Sequence, residues 1–148
     1  MAALFSVNSG YVALVANTAK TFIELGTNAT IDNVWTGLEI TFNGVTAAAE
    51  PVKVEIISLA ATGTGTVYTP TRYGTNQGRA ALTTAKVAMT VEGTGPSIIT
   101  AVYVPPTSGL SSQWPLGREL GMTVSKFYGV RLTAVAAVNA SVNLIFEE

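Results

Sequence analysis

Apolar side chains in this chain recur at every second position, in short runs separated by Gly, Pro, Asn and Thr. That period matches a β-strand, whose successive side chains point to opposite faces, and argues against amphipathic helices, which need a period near 3.6. Across residues 34–42 the pattern sets Val34, Leu38, Ile40 and Phe42 on one face, with Trp35, Glu39 and Thr41 on the other. Val52, Val54 and Ile56 alternate with Lys53, Glu55 and Ile57, and Val87, Met89 and Val91 with Lys86, Ala88 and Thr90. A last run sets Ala140, Val142, Leu144 and Phe146 against Ser141, Asn143 and Ile145. Further strands are expected within residues 11–16, 20–25, 98–104, 121–126 and 128–135, for a total of about eight or nine. Residues 79–89 alone have the Ala content and length of a helix, and there the Thr83-Thr84 pair and the alternating end favour a strand.

The connections are marked as clearly as the strands. Asn43-Gly44 signals a turn, which residues 45–50 extend beyond a two-residue hairpin. Thr62-Gly63-Thr64-Gly65 and Gly93-Thr94-Gly95-Pro96 read as turn-rich loops. Pro105-Pro106-Thr107-Ser108-Gly109 opens the longest break, which runs to Pro115, and residues 70–78 form a second long loop. A chain of 148 residues has the size of one domain and needs neither metal nor disulfide to hold a core. Short strands with frequent turns predict an all-β domain, first a jelly roll and second another Greek-key β-sandwich. Residues 18–148 are expected to form that sandwich, preceded by an apolar segment over residues 1–17.

The residue inventory excludes much chemistry. The chain has no Cys and no His, which removes thiolate nucleophiles, Ser-His-Asp machinery and ordinary zinc sites. Asp32 is the only aspartate, so no calcium loop is encoded, and no metal or cofactor is expected. A hydrolase could work with two carboxylates, yet Glu39 and Glu55 fall on strand faces opposite the apolar ones and read as solvated. Glu147-Glu148 reads as a solubilising pair. The Gly-rich run at residues 62–66 lacks the Lys-Ser/Thr ending of a phosphate loop. Lys20, Lys53, Lys86 and Lys126, like Arg72, Arg79, Arg118 and Arg131, are dispersed, so no nucleic-acid partner is expected. No run of eighteen apolar residues occurs, so no membrane span is expected. Residues 1–19 are uncharged but lack the cationic start of a signal peptide.

Binding is the better lead. Charged residues make up 11% of the chain against roughly 25% in a soluble domain, which points to a neutral, Thr-rich exterior together with surface buried against other subunits. Trp114, Tyr68, Arg72 and Tyr73 lie on long loops and are of the types that dominate binding hot spots. Trp114 can serve as an interface anchor or fold back onto the core, and the same choice applies to the other three. Arg118 and Glu119 are adjacent and expected to form local salt bridges. In the first segment, Leu4, Phe5, Val7 and Tyr11 are apolar, around the flexible Asn8-Ser9-Gly10. That segment can pair with a neighbour's sheet edge or form the first strand of its own sandwich.

An ordered set of short motifs completes the reading. Phe42-Asn43-Gly44 is followed by Ala49-Glu50-Pro51-Val52 with Val54-Glu55, then by Pro115-Leu116-Gly117-Arg118-Glu119. Arg131-Leu132-Thr133-Ala134, Ala136-Ala137-Val138-Asn139 and Phe146-Glu147-Glu148 close the series. From about Lys20 onward this order resembles a family of small virion proteins of tailed phages and prophages of actinobacteria. The resemblance implies a β-sandwich head decoration protein, made in the host cytoplasm and carried on the capsid surface. It further implies a homotrimer whose partner is the major capsid protein. A tail or fibre module that binds host surface glycans is the second reading.

Overall fold

A computed structural model describes residues 3–44, 49–73 and 78–148. The middle of each loop expected at residues 45–50 and 70–78 therefore lies outside the described residues. Among those described there is no helix, and residues 84–91 are a strand. Thirteen strands run in chain order as β1 (Leu4–Asn8), β2 (Val12–Leu14), β3 (Lys20–Gly26), β4 (Asn33–Asn43), β5 (Val52–Leu59), β6 (Thr64–Tyr68) and β7 (Thr71–Arg72). They continue as β8 (Thr84–Val91), β9 (Ser97–Val104), β10 (Leu110–Gln113), β11 (Leu120–Met122), β12 (Phe127–Thr133) and β13 (Val138–Glu147).

The strands form two antiparallel sheets. The first has the order β10-β4-β13-β1-β7, with β11 also on β4 and β2 also on β13; the second has the order β6-β8-β3-β12-β5-β9. Without β2, β6, β7, β8 and β11, the first sheet is β1-β13-β4-β10 and the second is β3-β12-β5-β9. That is the eight-strand order of a jelly roll, in which first and last strands are neighbours and successive strands alternate between the sheets except at β5 and β9, which pair within the second. The extra strands β6, β7 and β8 are inserted between β5 and β9 and widen both sheets at the edge away from β9 and β10.

Alternation fills the space between the sheets. Ala140, Val142, Leu144 and Phe146 of β13 are fully buried, as are Val52, Val54 and Ile56 of β5. Phe146 stacks on Phe5 with ring centroids 5.7 Å apart. Trp35 departs from the expected face and is the largest fully buried side chain. The ladder between β4 and β13 pairs Trp35 with Phe146 and Gly37 with Ile145, so Thr36 is an extra residue with no partner. Such a bulge shifts the side-chain phase by one, turning Asn33 and Trp35 inward before it and Leu38 and Ile40 inward after it.

The outer face of the second sheet is not solvated as expected, because both crossovers to and from the inserted strands pass over it. Residues 60–63 and 92–96 run side by side there, joined by a bridge between Ala61 and Thr94. Glu24 accepts from Thr62 Oγ1 and from Gly63 N at 3.1 Å, Lys86 Nζ donates to Gly63 O at 2.8 Å, and Glu92 accepts from Thr21 N at 2.8 Å. Beneath these straps Ile57, Leu59 and Met89 are buried outside the main core. Glu55 is buried on the same sheet, between Arg131 Nε at 2.9 Å and Lys53 Nζ at 2.6 Å. Glu148 is buried too, rather than solubilising: its carboxylate accepts from Leu82 N, Thr83 N and Thr83 Oγ1.

Candidate functional site

The first segment belongs to its own sandwich. Strand β1 lies between β13 and β7, with Phe5 and Val7 buried in the core. Those two side chains are therefore corrected from interface to core, because the edge they cover is that of β13 in the same chain. Leu4 is half-buried on the outer face of that sheet, and Tyr11 is exposed between β1 and β2. Tyr68 packs partly against the core. Arg72 is exposed and donates through Nη2 to Arg79 O, while Tyr73 is exposed and its backbone N donates to Leu4 O at 2.8 Å. No ion pair joins Arg118 to Glu119 among the described residues.

Trp114 folds back onto the core, the second of the two roles considered for it. Its backbone N donates to the carbonyl of Thr36 at 3.1 Å, which ties the chain after β10 to the bulge in β4. The indole packs partly on the core and borders two concave surfaces. On one side is a mixed groove of about 310 Å³ on the outer face of the first sheet, where Leu4, Tyr73, Trp114, Leu116 and Ile145 meet Thr36, Gln113, Glu119 and Glu147. Four residues singled out in the sequence, Leu4, Tyr73, Trp114 and Glu119, thus come together here, while Tyr11, Tyr68, Arg72 and Arg118 do not line it. Sequence reasoning missed Leu116, the most exposed large apolar residue among those described, at 97%. It stands at the tip of a turn closed by Arg118 N to Pro115 O at 2.9 Å, with Gly117 at φ +81°. That is the geometry of a type II turn, and Pro115-Leu116-Gly117 was the available signal.

On the other side of Trp114 the two sheets part between β9 and β10. Leu38, Val54, Ile56, Val102, Val104 and Leu110 line a cleft of about 210 Å³ there. Strand β9 forms one lip, and every residue from Ser97 to Tyr103 is exposed. It carries no charge, no Pro and no Gly, and β5 is its only partner among the described residues. Edge strands are ordinarily protected by charges, Pro or short length. Among the described residues, no group of three or more His, Cys, Asp or Glu side chains is placed to hold a metal ion.

Fold and surface together define a class: a jelly-roll sandwich with an exposed apolar edge strand and a mixed groove on either side of one tryptophan. The chain matches no family model, no curated protein and no solved structure.

Proposed function

We propose that this chain is a structural virion protein that decorates the phage head, binding the assembled shell and clamping neighbouring capsid subunits. The observation that carries the reading is the groove with the fully exposed Leu116 at the tip of a hydrogen-bonded turn. A large apolar side chain left in water in this way gains free energy when a partner covers it. The jelly roll agrees with the reading, since that architecture recurs in capsid proteins, but it also serves lectins and cupins and does not decide function. The motif resemblance supplies the head rather than another assembly. The mechanism is linkage: a protein that binds only the assembled shell stabilises that shell.

The test is co-sedimentation with phage heads stripped of this protein. Wild type should bind saturably, at a fixed ratio to capsid subunits. Leu116→Asp combined with Tyr73→Ser should weaken binding at least tenfold, about 1.4 kcal/mol, with an unchanged β circular dichroism spectrum. Binding to host cell wall in place of heads would move the protein to the tail.

A further inference from the structure

We propose that β9 is a self-association edge, and that two copies of the chain join through it in an antiparallel pair centred on Ala101. The proposal rests on the preceding reading only in taking the exposed apolar surface as interface; it concerns a different part of that surface. A two-fold axis through Ala101 sets Ala101 against itself, Val102 against Thr100 of the second copy, Tyr103 against Ile98 and Val104 against Ser97. Ile99 is passed over, as it already is on the β5 side, where Ile56 pairs with Thr100 and Ile57 with Ile98.

Three observations favour a second copy over an unrelated strand. The first is the agreement of faces. Residues opposite one another in an antiparallel pair share a face of the sheet. Tyr103 lies opposite Lys53, which is on the Glu55 face, and Ile98 lies opposite Ile57, which is buried outside the main core, so both belong to the outer face. Val102 and Thr100 lie opposite Val54 and Ile56, both core residues, so they share the inner face. The register therefore satisfies the pleat at every pair. The second observation is size. The centre of a two-fold pair brings one residue against its own copy, and the smallest side chain of β9 stands there, with the large ones outside it. The absence of charge along the strand removes like-charge repulsion, which self-pairing would otherwise impose at every position.

The third is area. Ile98 is 52% exposed, Ile99 43%, Val102 45% and Tyr103 69%. These side chains offer ~400 Å², about half of the ~800 Å² that each partner of a stable interface buries. The strand backbone and the neighbouring lip of Leu110 and Trp114 are available for the remainder. The contact is two-fold, so the three-fold ring implied by the resemblance would have to be built on another surface.

The chain has no cysteine, which makes the register directly testable. Paired strands place opposite Cα atoms within the range a disulfide can bridge. Under mild oxidation with diamide, Ala101→Cys should cross-link more than half of the chains as dimers, whereas Val67→Cys, exposed on the other edge strand β6, should not. Sedimentation of wild type at about 100 μM should give a dimer or an even multiple of it. The double variant Ile98→Lys, Tyr103→Lys should keep the β spectrum and sediment as a single chain, and in that background cross-linking through Ala101→Cys should fall at least tenfold. A monomeric or odd-numbered wild type, or cross-linking at Ala101 no better than at Val67, would overturn the proposal. Head binding by the separated double variant is read independently: it reports on the shell contact and leaves the edge to the cross-link.

Discussion

Glu55 is 2% exposed and faces two cations, so its protonation is coupled to folding. Burial by itself would raise the pKa of its carboxyl. The contacts and charges of Lys53 and Arg131 outweigh that and hold it below the ordinary glutamate value. A depressed folded-state pKa means that the unfolded chain takes the proton more readily. The stabilisation is then complete above the unfolded value of about 4.3, and is lost as pH falls through the folded value. Glu55→Gln removes this component. At pH 7 it should cost about 2 kcal/mol, less than the ~3–5 of a fully buried pair, because Lys53 and Arg131 keep some access to water. Denaturant titrations at pH 7, 5 and 3 should show a constant gap between wild type and variant down to about pH 5, narrowing at pH 3. A gap independent of pH would show that the carboxylate contributes packing alone. Neither Glu55 nor Trp35 could be placed from the sequence, and for separate reasons. Glu55 has the correct phase for an outer face, but there it is enclosed by Lys53 and by Arg131, which lies 76 positions away in sequence. Trp35 lies one residue before a bulge, and a single extra residue inverts the face of everything on one side of it.

At the scale of elements, β1 carries the sharpest expectation. It pairs over its length with β13, and Ala3 exchanges backbone hydrogen bonds with Glu148 at 2.9 and 3.1 Å. Deleting residues 1–9 would strip Phe5 from Phe146, bare the edge of the longest apolar ladder and leave Val7 unfilled. Loss of one buried Phe alone costs ~3–5 kcal/mol, comparable with the whole stability of many domains. The truncated chain should therefore lose its cooperative thermal transition or aggregate. A well-folded truncation that loses only head binding would restore the segment as an assembly arm. Alternation made β1 legible as an apolar segment and its partner illegible, since pairing is fixed by residues more than a hundred positions away. The eight jelly-roll strands largely coincide with the segments whose period is clearest, as in Val52–Leu59 and Val138–Glu147. The pieces that escaped are short or start in turn-like sequence: β7 has two residues, β10 has four inside what reads as one long loop, and β6 begins in the turn-rich run at residues 62–65. Of the strand expected at 121–126 only the first two residues pair, in β11. Runs of two to four residues carry too little alternation to be seen.

Across the whole molecule, the sheet orders set a gradient of protection. β13 and β4 lie inside the first sheet and β3 and β12 inside the second, each paired on both sides and carrying the most fully buried side chains. Their amides should exchange with solvent only through global unfolding, whereas β2, β7 and β11, which are two or three residues long and lie on the margins, should exchange through local opening. By position and exposure β9 belongs with the second group, because one side of its backbone is free and seven of its eight residues are exposed. Self-pairing would alter that for β9 alone. Half of its amides already bond to β5, and the other half acquire partners only in the dimer. Exchange at β9 should therefore slow as protein concentration rises from about 1 to 100 μM, by the ratio of dimer to free chain, while β7 and β11 stay unchanged. The Ile98→Lys, Tyr103→Lys variant should exchange at β9 as quickly at the higher concentration as at the lower. Uniform slowing over the molecule would signal general stabilisation, and an unchanged β9 in wild type would mean that its outward amides have no partner of this chain.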